Sequence, residues 1–315
     1  SGRPLPKPAE LGILTSHAAA WSYRAVDDPD SNVFHKALVY EPRSGAPGIL
    51  TAGGTRAILK LRRPGAEPEL VWQADFGGRW SRMRDVEVAD LDGDGLDDLA
   101  VVTHDQGIVA WVSPAGGAWT VTRLDEQPDT IVHEVEIGDL DGDGRPEIYA
   151  TPSAPNKLDG SPQPGEVVRY LPTADGGART VVAALGDRHA KEILAGDVDG
   201  DGTDELYVVV EAVAGGQVEI LRYDADTPAD GGRVIAHLPD KLCRFLTAGD
   251  VDGDGTSEMV AAAHKSGLWL LRPPAEPAAE WSVTSFDRDS GGFEHAALLT
   301  DLDGDGSDEL YVAND

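Results

Sequence analysis

The sequence predicts an all-β fold, a six-bladed β-propeller of four-stranded blades, and two observations support this prediction. First, an Asp-rich segment recurs five times, and its first aspartates are 49, 58, 53 and 51 residues apart. Second, short apolar runs with frequent β-branched residues flank each copy, and none is long enough for a helix. A repeat of roughly fifty residues with four strands is typical of a propeller blade.

The strand-like runs can be assigned in order within one repeat. In the fourth repeat they are residues 193–195 before the Asp-rich segment, and residues 206–210, 217–223 and 233–237 after it. The first two runs are joined by the Asp-rich segment itself, which is therefore predicted to be a loop between neighbouring strands.

A sixth repeat, the first in the chain, lacks the aspartates. Residues 35–45 align without gaps on residues 295–305, but Glu41, Arg43 and Gly45 stand where three aspartates would be. We expect Arg43 to supply the positive charge that a cation supplies in the other repeats, with Glu41 as its partner.

The two ends of the chain complement each other. The last repeat offers two strand-like runs, while residues 11–15 and 21–27 resemble residues 267–271 and 281–287. We therefore predict that N-terminal strands within residues 11–27 pair with the C-terminal blade, which closes the ring and leaves no inner edge unpaired. The expected organisation is an extended lead over residues 1–10 and one propeller domain over residues 11–315.

Each Asp-rich segment reads Asp-x-Asp-Gly-Asp-Gly-x-x-Asp/Glu, which predicts about five Ca²⁺ sites. Calcium prefers six to eight oxygen ligands, and glycines allow a loop to curl so that alternate carboxylates face inward. An EF-hand would need its last glutamate at position twelve and flanking helices, whereas here the late acid is at position nine. The predicted ligands, with the position-seven residue giving its carbonyl, are Asp90, Asp92, Asp94, Leu96 and Asp98; Asp139, Asp141, Asp143, Arg145 and Glu147; Asp197, Asp199, Asp201, Thr203 and Glu205; Asp250, Asp252, Asp254, Thr256 and Glu258; and Asp301, Asp303, Asp305, Ser307 and Glu309.

Composition limits the partners. There are 56 acidic and 26 basic residues, giving a formal net charge of −30, so the surface would repel nucleic acid and anionic membranes. No apolar run reaches the ~18 residues of a membrane span, so no membrane insertion is expected. A monomer is expected. Cys243 is the one cysteine, and nucleophile-elbow, phosphate-loop and dinucleotide motifs are absent from the sequence.

The repeated segments resemble those of the FG-GAP/VCBS family, the calcium-binding propeller repeats of integrin α-subunits and many secreted bacterial proteins. The resemblance covers about residues 30–315. It implies a propeller with calcium bound outside the cytoplasm, so the expected location is extracellular or periplasmic. Because the family includes adhesion modules, carbohydrate-binding domains and polysaccharide lyases, it implies no single activity.

A basic or imidazole residue stands six positions before each loop, and a polar residue stands fourteen positions after each loop's start. Both positions fall at the strand ends away from the loops, so we predict a mouth that binds an anionic group, with Trp80 nearby to stack on a sugar ring. The alternative is that these side chains plug a narrow channel and pair with nearby acids. Transition-metal binding by the histidines stays open. The predicted ligand-binding residues are His35, Arg84, His133, Lys191, Arg244, His295, His104, Glu211, His264 and Trp80.

Three functions remain open from the sequence. The first is a secreted module that binds a glycan or protein at this mouth. The second is a polysaccharide lyase acting on a uronate-containing glycan, with His133, His295 or Lys191 as base and Arg84 or Arg244 neutralising the carboxylate. The third is a structural or adhesion scaffold in which the mouth has no role.

Overall fold

The computed structural model describes residues 7–17, 20–43, 45–77, 81–154, 162–173, 177–213, 215–276, 279–288 and 294–314. Contacts divide the chain into two compact units, residues 1–135 with 173–176, and residues 136–172 with 177–315. The described residues contain 24 β-strands and, as their one helical segment, a 3₁₀ turn at Ala115–Gly117. The predicted all-β class is therefore confirmed. Within this part of the chain, no helix has the length and apolar character needed to cross a membrane.

The first unit holds a hairpin and two four-stranded sheets. The hairpin is β1 (Ala9–His17) and β2 (Ala20–Asp28). The first sheet is β3 (Ser31–Tyr40), β4 (Gly48–Thr55), β5 (Ala57–Arg62) and β6 (Glu69–Ala74). The second is β7 (Met83–Ala89), β8 (Asp98–Thr103), β9 (Ile108–Ser113) and β10 (Thr120–Glu126). We call these sheets blades 1 and 2.

Blade 3 begins with β11 (Ile131–Gly138), which spans the division between the units, and continues with β12 (Glu147–Ser153), β13 (Glu166–Tyr170) and β14 (Arg179–Ala184). Blade 4 is β15 (Ala190–Gly196), β16 (Glu205–Val210), β17 (Val218–Tyr223) and β18 (Arg233–Leu238). Blade 5 is β19 (Cys243–Gly249), β20 (Glu258–Ala263), β21 (Gly267–Arg272) and β22 (Ser282–Asp287). Blade 6 has two strands, β23 (Glu294–Thr300) and β24 (Glu309–Asn314).

In blades 1 to 5 the strands are hydrogen-bonded in the order in which they follow along the chain. Each blade is thus an antiparallel meander, and the prediction of four consecutive strands per repeat is confirmed for five repeats. The predicted strands at residues 11–15 and 21–27 lie in β1 and β2. The number of blades in a closed ring, the closure itself and the single-domain organisation stay predictions.

Neighbouring sheets within each unit pack face to face through apolar side chains. In the first unit, Leu50 and Leu61 of blade 1 share a core with Leu99 and Val101 of blade 2. The second unit has two such cores, one between blades 3 and 4 and one between blades 4 and 5. Burial of each such leucine or valine contributes about 1.5–3 kcal/mol. The second strands β8, β12, β16 and β20 are buried along their whole length, which fixes the positions of the loops that precede them.

Candidate functional site

The Asp-rich loops join the first strand to the second strand in blades 2 to 6. Their glycines at positions four and six have positive φ, for example 75° at Gly200 and 93° at Gly202, a conformation that side chains disfavour. The loop curls around its first aspartate, whose carboxylate accepts amide hydrogens from those turns. Gly202 N lies 3.0 Å from Asp197 Oδ2, and Gly95 N lies 3.0 Å from Asp90 Oδ2.

This curl brings the carboxylates of each loop together. In every loop, oxygens of the aspartates at positions one, three and five lie within 4.8 Å of one another, and in blades 4 and 6 the acid at position nine joins them. The clusters are Asp197, Asp199, Asp201 and Glu205; Asp301, Asp303, Asp305 and Glu309; Asp90, Asp92 and Asp94; Asp139, Asp141 and Asp143; and Asp250, Asp252 and Asp254.

The other predicted ligands occupy consistent places. Asp98, Glu147 and Glu258, at position nine, are buried at the start of the second strand and lie outside the 4.8 Å clusters. Asp98 and Glu258 accept the position-two amide, Leu91 N at 3.1 Å and Val251 N at 3.1 Å. The position-seven residues, whose carbonyls were predicted ligands, each donate their own amide to the position-five aspartate at 2.8–3.0 Å: Leu96, Arg145, Thr203, Thr256 and Ser307.

The donor sets fit a hard divalent cation. Each cluster offers carboxylate oxygens, and within the described residues none of the acid clusters includes a histidine or cysteine. The electrostatics also favour a cation. Burial above all, with Asp199 and Asp201, raises the pKa of Glu205 to about 7 against the lowering effects of Arg222 and Tyr207. These clusters can hold hard divalent metal ions such as calcium.

Arg43 of the degenerate first repeat does not pair with Glu41 as predicted. Its Nη1 lies 3.1 Å from Asp90 Oδ2 in the loop of blade 2, and its backbone amide donates to Asp97 Oδ2 at 3.2 Å. Glu41 is therefore the wrong partner, because the degenerate loop packs against the neighbouring blade, and the substitution of Arg43 for a cation stays a prediction.

A residue type that sequence reasoning missed is the aspartate at position eight. Asp204 Oδ2 accepts the amide of Asp139 at 2.8 Å, and Asp308 Oδ2 accepts the amide of Asp250 at 2.9 Å. Asp97 makes the same kind of contact with Arg43 N. Each of these aspartates therefore connects the loop of one blade to the loop of the blade before it. The signal was present, because blades 2, 4 and 6 have aspartate at position eight while blades 3 and 5 have Pro146 and Ser257.

The predicted basic positions coincide with β-bulges. The pairing of the first strand with the second slips by one residue at His35, Arg84, Lys191, Arg244 and His295. A bulge leaves one residue without a partner opposite it and re-aims its side chain. The side chain of His295 lies outside the described residues, as does the whole of Trp80.

In the first unit three of these side chains meet. The guanidinium of Arg84 lies between two imidazoles, with Nη1 3.0 Å from His35 Nδ1 and Nη2 3.0 Å from His133 Nε2. Burial above all, together with Arg84, Arg82 and His104, lowers the pKa of His35 to about 2, so this ring is neutral. Among the described residues no carboxylate lies within ion-pair distance of Arg84. Lys36 beside it pairs with Asp85 at 3.1 Å.

In the second unit the equivalent side chains are neutralised. Glu211 is 3% exposed, and its carboxylate lies 2.6 Å from Arg244 Nε, 3.8 Å from Lys191 Nζ and 2.6 Å from His189 Nε2. Burial favours the neutral acid, but the His189 hydrogen bond, Arg244 and Lys191 outweigh it and lower the pKa of Glu211. Lys191 is fully buried. Pairing of the basic side chains with a buried acid is what the alternative to a binding mouth, a plugged channel, predicts.

The remaining predicted residues lie just after the second strands. His104 Nδ1 is 2.5 Å from Asp105 Oδ1, its ring centroid is 6.2 Å from that of His35, and burial lowers its pKa. His264 donates its backbone amide to Leu242 O at 2.9 Å. The first unit therefore gathers His35, Arg84, His133 and His104, whereas the second gathers Lys191, Arg244 and Glu211.

Comparison with known families confirms the resemblance over part of the chain. Residues 69–150 match the family model of the FG-GAP-like repeat. The matched stretch runs from the start of β6 into β12 and contains the loops of blades 2 and 3. Residues 69–150 thus resemble FG-GAP-like repeats, which are typical of β-propeller binding and adhesion modules. A search of curated proteins found no match.

Proposed function

We propose that the chain is a six-bladed, calcium-stabilised β-propeller that binds an anionic group of a glycan through Arg84, at the strand ends away from the calcium loops. The observation that supports this is the environment of Arg84. Arg84 is half-buried, its two imidazole neighbours accept rather than donate, and the described residues place no carboxylate within ion-pair distance of its guanidinium. A guanidinium has five N–H donors, so several remain for a carboxylate or sulfate.

The overall charge narrows the ligand class. A surface with a net charge of −30 repels a dense polyanion, whereas a local cation admits one isolated anionic group. This favours a glycan with spaced uronates over a highly sulfated chain. An acidic protein segment is the competing ligand. The proposed calcium ions neutralise the loops and hold the blades, and N-terminal strands β1 and β2 complete blade 6. An extracellular or periplasmic location, where calcium is abundant, and a monomeric state belong to the same proposal.

The test is calorimetric titration of the calcium-loaded protein with oligosaccharides in which uronates alternate with neutral sugars. Arg84→Gln is expected to weaken binding at least tenfold, since it removes a charge-assisted hydrogen bond. The matched control is Arg244→Gln, because that guanidinium is already engaged by Glu211 and should contribute little to binding. Equal affinity of wild type and Arg84→Gln would remove Arg84 from the site. Binding to an acidic peptide but not to the oligomers would favour the protein ligand.

A lyase is the second candidate, and one observation favours it. An imidazole, that of His133, within 3.0 Å of a guanidinium that has no carboxylate partner among the described residues resembles the base-and-neutraliser pair that β-elimination of a uronate needs. Incubation with pectin, ulvan and glycosaminoglycans, followed by ultraviolet absorbance of unsaturated products, tests it. Product formation that is lost in His133→Ala would establish the lyase. The scaffold hypothesis predicts that mouth substitutions change no binding while calcium removal abolishes function.

A further inference from the structure

Three of the Asp-rich loops are each contacted by an arginine from the third strand of the same blade. Arg169 Nη1 lies 2.7 Å from Glu147 Oε1 and 3.2 Å from Asp141 Oδ2. Arg222 Nη2 lies 3.2 Å from Glu205 Oε1, and its Nη1 contacts Asp199. In blade 5 the equivalent contacts are Arg272 Nη2 to Asp252 Oδ2 at 3.1 Å and Arg272 Nε to Glu258 Oε1 at 3.3 Å.

The contacts repeat the same pattern in each blade. The two carboxylates always stand at positions three and nine of the loop, and both are predicted metal ligands. The register of the sheet explains the reach, because β17 pairs with β16 so that Arg222 lies opposite Tyr207, two residues after Glu205. Arg169 lies opposite Tyr149 in the same way. A planar guanidinium fork can span two carboxylates at once, which an ammonium group does less well.

We propose that these arginines act as internal competitors of the metal, lowering the calcium affinity of their loops and stabilising the metal-free blades. The inference rests on the proposed calcium binding by the loops. A guanidinium at the edge of the cluster reduces the net negative charge of the site by one. It also repels a divalent ion that is bound among the same carboxylates. When the ion is absent, the same charge reduces the mutual repulsion of the acids.

The structure also predicts an order of effects. The side chain of Arg222 is 8% exposed, that of Arg169 is 25% exposed and that of Arg272 is 43% exposed. Solvent screens the more exposed charges, so competition is strongest in blade 4 and weakest in blade 5. In the described part of the chain, the Asp301 loop of blade 6 has no basic side chain within ion-pair distance, so it serves as the reference site.

Blade 4 also contains a natural reporter. The hydroxyl of Tyr207 donates to Glu205 Oε2 at 2.9 Å, so excitation of this tyrosine should sensitise terbium bound in the same loop. The terbium luminescence of wild type and of each variant is measured with and without the additional substitution Tyr207→Phe. The difference between the two signals gives the terbium titration of this loop alone. For Arg222→Gln we expect the terbium midpoint to fall about tenfold, as one charge close to a polyvalent ion implies. The calcium-free thermal midpoint should fall as well.

The control variants distinguish the effect of a positive charge beside the loop from the effect of the protein's net charge. Arg123→Gln removes the same charge from a side chain that pairs with Glu126 instead of a loop acid, and should leave the midpoint unchanged. Arg222→Lys keeps the charge and should remain nearer to wild type than Arg222→Gln. An unchanged or raised midpoint of the terbium titration in a folded Arg222→Gln protein would overturn the inference. If that variant does not fold, calcium calorimetry of Arg272→Gln decides by the same criterion. Absence of terbium and calcium binding in wild type would instead overturn the calcium proposal.

Discussion

Asp308 and Asp250 exchange two hydrogen bonds. The Asp308 carboxylate accepts the amide of Asp250 at 2.9 Å, and the Asp308 amide donates to the Asp250 carbonyl at 2.7 Å. The residue before Asp250 is Gly249, where a side chain would collide with Asp308 and would lie 3.0 Å from Leu299 Cβ. The glycine is therefore required by the close approach of blade 6. The same relationship holds between Gly138 and Ala195, beside the Asp204–Asp139 contact.

Replacing Asp308 with alanine should destabilise the second unit by about 2 kcal/mol, because a charged acceptor is lost and the Asp250 amide loses its partner. The measurement is urea unfolding at a fixed, saturating calcium concentration. Asp226→Asn, at an exposed position in the turn after β17, is the control and should be neutral. A loss for Asp308→Ala no larger than that of the control would show that the loop-to-loop contact is not stabilising.

The free energy of unfolding should fall as the pH is lowered, because His35 takes up a proton only when the chain unfolds. Its pKa is lowered to about 2 in the folded chain, mainly by burial, whereas a histidine in the unfolded chain has a pKa of about 6.5. The unfolded state therefore binds a proton that the folded state excludes. The contribution of His35 is fully present above about pH 6.5 and declines by about 1.4 kcal/mol for each pH unit below it.

The check compares unfolding free energies at pH 7 and pH 5.5. His35→Asn keeps an acceptor for Arg84 but takes up no proton, so its loss between the two pH values should be smaller than that of wild type by about 1.4 kcal/mol. His237→Asn, at a ring that is 57% exposed, should not change the loss by this amount. The same pH dependence in His35→Asn and wild type would contradict the assignment.

Loss of the charge of Asp28 should destabilise the first unit strongly. Its carboxylate is 1% exposed and lies 2.8 Å from Lys60 Nζ and 2.6 Å from Arg62 Nη2. Burial alone would raise its pKa, but the Lys60 hydrogen bond, the Asp30 amide and Arg62 bring the pKa below its ordinary value. Its contribution is therefore present above the unfolded pKa of about 3.9 and is lost as the pH falls further.

Asp28→Asn leaves two buried cations with a neutral partner, and we expect a loss of about 3 kcal/mol in urea unfolding at pH 7. Asp30→Asn is the matched control. It contacts the same Lys60 Nζ at 2.6 Å, but its side chain is 64% exposed, so its loss should stay below about 1 kcal/mol. Similar losses for the two variants would show that burial of the pair has little effect.

Removal of calcium should lower the thermal midpoint. An ion that binds the folded chain at several sites stabilises it at each of them, so chelation with EGTA should reduce the midpoint by at least about 10 °C. Re-addition of calcium should restore the midpoint, and magnesium at the same concentration should restore less, since it demands a stricter octahedral geometry. An unmoved midpoint after chelation would mean that the clusters do not hold calcium.

The repeated elements could be predicted from the sequence because five copies share one local pattern. The strands and the curled loops depend on residues that are close in sequence, such as Gly200 and Gly202 beside Asp199. The arginines that contact the loops could not be predicted in this way. Their distance along the chain from the loop differs in each blade, as Arg169 and Arg272 illustrate, and strand register alone brings them to the acids.

The basic positions show the same limit. Counting from the loops indicated that Arg84 and Arg244 are equivalent, and both are bulge residues. Their charge environments nevertheless differ, because Arg244 meets the carboxylate of Glu211 while Arg84 meets imidazoles. Position six before the loop specifies the backbone geometry, whereas the partner comes from a neighbouring strand that sequence spacing does not specify.

The aspartate at position eight alternates along the chain, present in blades 2, 4 and 6 and replaced by Pro146 and Ser257 in blades 3 and 5. Blades are therefore joined at their loops as couples, the first with the second, the third with the fourth and the fifth with the sixth. The module that gene duplication could copy without loss is the couple. Removal of one whole couple should consequently keep these contacts in the blades that remain, whereas removal of blade 2, 4 or 6 alone would take the carboxylate acceptor from the loop amide of the blade before it.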